Sequence, residues 1–161
     1  MFTNEEADEE EANVDPLAGL DMAFVKDSQK IYDLLSSQYT ISMSKAASKR
    51  ERDDKELKST NYVYGEITFE ALGVVLEKIK KKYGKPYIGT SGSDGIIQGT
   101  SGGTFFDLGS GSGKSTLAAA ILHNFDTCTG IEYLEGLYSL SLDILGAYGM
   151  FNCAISYTYC L

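Results

Sequence analysis

Thr104-Phe105-Phe106-Asp107-Leu108-Gly109-Ser110-Gly111-Ser112-Gly113-Lys114-Ser115-Thr116 runs from a short apolar segment into a bend with glycine at every second position. Phe105, Phe106 and Leu108 predict a strand, and the helix-forming run Leu117 to Leu122, reaching Phe125, follows the bend. Cys128-Thr129-Gly130-Ile131-Glu132 then reads as a second strand ending on an acid. Strand, glycine turn, helix and strand make half of a nucleotide-binding βαβ unit, so the predicted class is α/β with parallel strands.

Three kinds of loop share this outline. Gly113-Lys114-Ser115-Thr116 looks like the closing tetrad of a phosphate-cradling loop. That loop needs a further glycine five positions before its last one, and position 108 is Leu108. The dinucleotide fingerprint G-x-G-x-x-G needs a third glycine where Lys114 stands, which weakens that reading. Asp107-x-Gly109-x-Gly111-x-Gly113 fits the acid-x-G-x-G-x-G pattern of S-adenosylmethionine-dependent methyltransferases without adjustment. In such a loop, glycine lets the backbone approach a ligand where a Cβ would collide. Asp107 is placed to hold water or an ammonium group. Glu132, nineteen residues after Gly113, is placed to accept both hydroxyls of a ribose. The bland alternative is a flexible linker with a solvated acid after it. An apolar strand and an amphipathic helix on either side speak against that.

At 161 residues with 43% apolar side chains, the chain holds one domain or most of one. Seven acids and no base lie within residues 1 to 15, so the net charge of −9 leaves only −2 for the remainder. That tail is expected to be disordered and solubilising, with contact to a basic partner as the functional alternative. Cys128, Cys153 and Cys160 have no metal or redox spacing, and no secretory signal or long apolar span is seen. An intracellular, reduced and soluble chain without disulfides is expected. Residues 16 to 60 are expected to be helical, then charged linker. Leu17, Leu20, Phe24, Ile31, Leu34 and Leu35 recur at helical spacing. The interspersed charges of Lys45 to Lys58 predict a solvated helix or linker rather than a nucleic-acid patch.

Asn61-Tyr62-Val63-Tyr64-Gly65-Glu66-Ile67-Thr68-Phe69 precedes a helix capped by Thr68, with Phe69, Leu72, Leu76 and Ile79 on one face, ending near Gly84. Val-Tyr-Gly-Glu ahead of that helix, then Asp-Leu-Gly-Ser-Gly-x-Gly, then Gly-Ile-Glu, resembles the disruptor-of-telomeric-silencing histone methyltransferases over residues 61 to 147. These are the non-SET enzymes that methylate a lysine in the globular part of histone H3. The resemblance implies a truncated Rossmann-like class I methyltransferase, S-adenosylmethionine as cofactor, histone H3 or the nucleosome as partner, and nuclear action; another protein substrate stays open. It implies cofactor contacts from Tyr64, Gly65, Glu66 and Ile67, from Asp107, Leu108, Gly109, Ser110, Gly111, Gly113 and Lys114, and from Glu132. A helix-start acid is the structural alternative for Glu66. Tyr62 and Tyr64 are both placed to line a channel, and the sequence does not choose between them. No residue is assigned as catalytic, because a sulfonium is already an activated donor.

Departures from that family are also expected to matter. Residues 84 to 104 form a glycine- and serine-rich insertion. Lys114 replaces a glutamine of the better-known members. The domain is expected to stop after its first βαβα portion, near residue 149, which fits a fragment. Residues 150 to 161 are expected to be an apolar, tyrosine-rich tail without partner strands, hence an aggregation hazard. Two alternatives accompany the enzyme reading: a catalytically inert binding module, and a nucleoside-triphosphate binder using Lys114 and Ser115.

Overall fold

The computed structural model describes residues 17–83, 102–148 and 154–160. The acidic tail and most of the glycine- and serine-rich insertion lie outside them. Helix α1 spans Met22–Ser36 and α2 Ile41–Asp54; a single 3-10 turn, Thr60–Tyr62, follows. Helix α3 spans Phe69–Tyr83. Then β1 (Thr104–Leu108), α4 (Lys114–Leu122), β2 (Thr127–Glu132), α5 (Glu135–Tyr148) and β3 (Ala154–Tyr159) alternate.

The three strands form one parallel sheet in the order β1-β2-β3. Parallel strands with flanking helices fit a truncated Rossmann-like α/β fold. Registration sets Asp107 beside Gly130 and Gly130 beside Tyr157, and it pairs Glu132 with Tyr159. Residues 154 to 159 are therefore not the unpartnered tail expected from the sequence. Ile155, Tyr157 and Tyr159 alternate with the exposed Ser156 and Thr158, and β2 supplies the partner that a local reading lacks.

Thr68 caps α3 through its hydroxyl, which accepts a hydrogen bond from Ala71 N at 3.2 Å. Phe69, Leu72 and Leu76 are buried on its inner face, as the helical spacing predicts. They meet Val25 of α1, Ala118, Ala119 and Leu122 of α4, then Phe125 and Cys128, in one core over a single face of the sheet. Gly73 permits that packing, since a Cβ there would lie 2.7 Å from Val25 Cγ1. The other face is different: Phe106 is 61% and Leu108 79% exposed, and among the described residues β1 pairs with β2 alone. Parallel sheets are ordinarily covered on both faces.

The mixed-charge segment is a helix rather than a linker. Ser44 and Ser48 of α2 are buried, and Ser48 Oγ donates to Tyr62 O at 3.2 Å. No helix of the described residues is long and apolar enough to cross a membrane.

Candidate nucleoside site at the glycine bend

The bend between β1 and α4 is wound with Gly109, Gly111 and Gly113 all at positive φ (81°, 58° and 81°), which L side chains rarely adopt. Four of its amides are paired inside the protein. Gly109 N and Ser110 N both donate to Ile131 O (2.8 and 3.0 Å), and Gly113 N donates to Ser110 O (2.9 Å). Gly111 N donates to Glu132 Oε2 at 2.6 Å. The acid that ends β2 therefore sits on the bend, across the parallel β1–β2 pair.

Glu132 has a second duty. Its Oε1 accepts from Tyr133 N and Leu134 N, both at 2.8 Å, at the entrance to α5. A carboxylate offers about four acceptor positions, so three are taken and one remains. The expectation that Glu132 holds both ribose hydroxyls is thus narrowed to one, unless the Gly111 amide lets go.

Above the bend lies the Tyr62–Ile67 segment. The Tyr64 ring fills the space a side chain at Gly111 would need, where a Cβ would be 2.4 Å from Tyr64 Cε2. Its hydroxyl donates to Glu66 Oε1 (2.6 Å) and is hydrogen-bonded to Ser112 Oγ (2.8 Å). Burial, then the Glu66 carboxylate, push the Tyr64 phenol up to about 12, so it stays protonated at neutral pH. Lys114 completes the latch, its Nζ lying 2.9 Å from Glu66 Oε1 and 3.2 Å from Oε2. Tyr64→Phe removes two side-chain hydrogen bonds and is expected to lower stability by about 1–2 kcal/mol in urea unfolding. An unchanged midpoint would show that the latch does not hold the segment down.

A cavity of about 300 Å³ opens between segment and bend, lined by Tyr62, Val63, Tyr64, Gly65, Gly109, Gly111, Glu132, Tyr133, Leu134 and Leu137. Tyr62 and Tyr133 stack at 5.4 Å between centroids, giving it an aromatic wall. Of the residues expected at a ligand, Tyr64, Gly65, Gly109, Gly111 and Glu132 meet here. Others are placed elsewhere. Leu108 points to the open face of the sheet, and Ile67 is half exposed. Ser110 is buried beneath the bend with no partner for its hydroxyl. Gly113 receives Tyr157 Oη on its carbonyl at 2.8 Å, and Lys114 and Glu66 bind one another. The remaining acceptor position of Glu132 and the apolar wall are what a nucleoside would meet.

Asp107 serves the bend from below: its Oδ2 accepts from Ser115 Oγ and from Thr116 Oγ1 (3.1 Å) at the start of α4. These pairings bear on the phosphate alternative. A phosphate cradle needs loop amides, a lysine and a hydroxyl facing outward. Here four amides, the Lys114 ammonium and the Ser115 hydroxyl all have acceptors within the protein. His123 ends α4, where its Nε2 is hydrogen-bonded to Gly102 O at 3.1 Å, and burial holds its pKa below the usual imidazole value. Among the described residues no group of side chains is arranged to hold a metal ion.

Fold and site together define an α/β protein with a tyrosine-walled cavity at its first βα turn. No protein-family model matches the chain, and no curated protein matches it. Among solved structures it is similar to a candidate S-adenosyl-L-methionine-dependent methyltransferase of Methanococcus maripaludis, with TM-score 0.38 and 17% identity. That similarity covers 69% of this chain and 41% of the other, so the chain spans less than half of that protein's length.

Proposed function

We propose that this chain binds S-adenosylmethionine at the glycine bend and is the cofactor-binding portion of a protein-lysine methyltransferase. The observation that carries the reading is the seat of Glu132: a buried carboxylate resting on the bend, one acceptor position still open, beside a cavity with a tyrosine wall. The fit to an adenosyl ligand has a second support in Gly65. Its φ lies outside the positive region, and a Cβ there would meet nothing within 4 Å. Nothing in the protein itself requires glycine at 65, whereas a ligand entering the cavity would.

When bound, S-adenosylmethionine supplies a methyl group already activated on a sulfonium. The chain's part is to hold one sugar hydroxyl on Glu132, to offer Tyr133 and Leu137 to the apolar faces, and to keep Tyr64 over Gly111. The finer reading, a histone H3 or nucleosomal lysine acceptor and nuclear action, rests on the Val63-Tyr64-Gly65-Glu66 resemblance; another protein acceptor is the neighbouring choice. A catalytically inert binding module is the second reading, favoured by the uncovered sheet face bearing Phe106 and Leu108.

Calorimetric titration with S-adenosylhomocysteine, and separately with ATP and magnesium, tests the proposal. Binding of the first alone is expected. Gly65→Ala should leave the unfolding midpoint unchanged or raise stability by about 0.5 kcal/mol while abolishing that binding. Uptake of ATP without S-adenosylhomocysteine would overturn the reading. Radiolabelled methyl transfer to nucleosomes, free histone H3 or a lysate then separates enzyme from binding module.

A further inference from the structure

Four consecutive backbone amides, Tyr133 to Gly136, lead into α5, and two carboxylates, one adjacent and one from α2, divide them. Glu132 takes the first two. Glu51 of α2 takes the others: Oε1 accepts from Glu135 N at 2.8 Å and Oε2 from Gly136 N at 2.7 Å. Helix-opening amides have no partner within the helix, and negative charge is favoured beside them. The approach is close, because a Cβ at Gly136 would be 3.3 Å from Glu51 Oε2. Lys55 pairs with Glu51. Its Nζ lies 2.7 Å from Glu51 Oε1 and 6.0 Å from the Tyr133 ring centroid, on the cavity's aromatic wall.

We infer that Glu51 is a positioning residue of the nucleoside cavity: by gripping the start of α5 it fixes the turn Glu132-Tyr133-Leu134 without touching the ligand. That turn contributes three of the residues around the cavity, and Glu51 is none of them. Burial pushes the Glu51 carboxyl up, but the Lys55 ammonium and the amides of Gly136 and Glu135 outweigh it and hold the group below the usual carboxylate range. Glu51 therefore stays ionised at neutral pH, as a double amide acceptor requires. The ligand's identity rests on the methyltransferase reading; the positioning does not.

Two readouts on wild type, Glu51→Gln and Glu51→Ala keep those separate. The first is amide hydrogen exchange at residues 133 to 136 by NMR, and the second is the affinity for S-adenosylhomocysteine. Glu51→Gln keeps one carbonyl acceptor and is expected to weaken binding about tenfold, with Glu51→Ala weaker still. In both, exchange should rise at Tyr133 and Leu134, whose own acceptor is Glu132, as well as at Glu135 and Gly136. Faster exchange confined to Glu135 and Gly136, or a Gln variant binding within about twofold of wild type, overturns the inference. If wild type takes up no S-adenosylhomocysteine, the methyltransferase reading falls and the exchange at Tyr133 and Leu134 still decides the positioning. Should Glu51→Ala not fold, the Gln variant carries the test.

Discussion

Glu132→Ala is expected to lose about 3 kcal/mol of stability and all measurable affinity for S-adenosylhomocysteine, because one side chain serves both purposes. Three amides, those of Gly111, Tyr133 and Leu134, lose their acceptor at once. A buried donor left unpaired costs about 1–3 kcal/mol; the Gly111 and Leu134 amides are buried, while the Tyr133 amide is partly open to water and adds little, so the two buried donors at about 1.5 kcal/mol each set the figure. Glu132→Gln distinguishes the two roles. The amide keeps one oxygen but turns an NH2 group toward a backbone N–H, so stability should fall by about 1–2 kcal/mol. Losing the charge at the one open acceptor position should weaken binding about thirtyfold, from a charge-assisted hydrogen bond of roughly 2 kcal/mol. Urea unfolding and calorimetry on both variants check the two numbers. A Gln variant that binds as tightly as wild type would sink the assignment of Glu132 to the ligand, whatever it did to stability.

That double duty explains what could be read from the sequence and what could not. The acid-glycine pattern from Asp107 to Gly113 is local: a strand, a bend and a helix are written in consecutive residues, and Glu132 follows at a distance set by one helix and one strand. The spacing thus leads to the juxtaposition now seen at Gly111 N. Asp107 was harder, because two hydroxyls placed by the first turn of α4 claim its Oδ2. Leu108 illustrates the limit of motif reading. A strand residue within the pattern points to alternate faces, and the pleat turns this one toward the open side of the sheet.

Glu51 was beyond reach for another reason. Within Arg50-Glu51-Arg52-Asp53-Asp54-Lys55 it is one charge among several, and its partners lie 84 and 85 positions further on. Only the packing of α2 against α5 separates it from the solvated charges around it. Lys114 and Ser115 mark the opposite case. Their pairing with Glu66 and Asp107 withdraws the groups that made a phosphate loop worth considering, and no local rule foretells which carboxylate a lysine will find.

The seat of β3 is likewise set by a partner distant in sequence, and its place in the sheet leads to a measurable consequence at Gly130. This glycine lies in the middle strand with Asp107 on one side and Tyr157 on the other. A Cβ there would be 2.6 Å from Tyr157 Cδ1, 2.7 Å from Cε1 and 2.8 Å from Ser110 Cβ. The absent side chain makes room for the Tyr157 ring to cross beneath the bend and deliver its hydroxyl to Gly113 O. Gly130→Ala is therefore expected to cost about 3 kcal/mol, at the upper end for overpacking, since two neighbours collide and one of them is the floor of the bend. Tyr157→Ala, which empties the half-buried space, should cost about 2–3 kcal/mol. The two losses share one cause, so the double variant should be more stable than their sum predicts by at least roughly 1 kcal/mol. Urea unfolding of wild type, both single variants and the double variant yields that coupling directly. Strictly additive losses would mean that the Tyr157 ring does not lie against Gly130, and with it that residues 154 to 159 are not seated as the third strand.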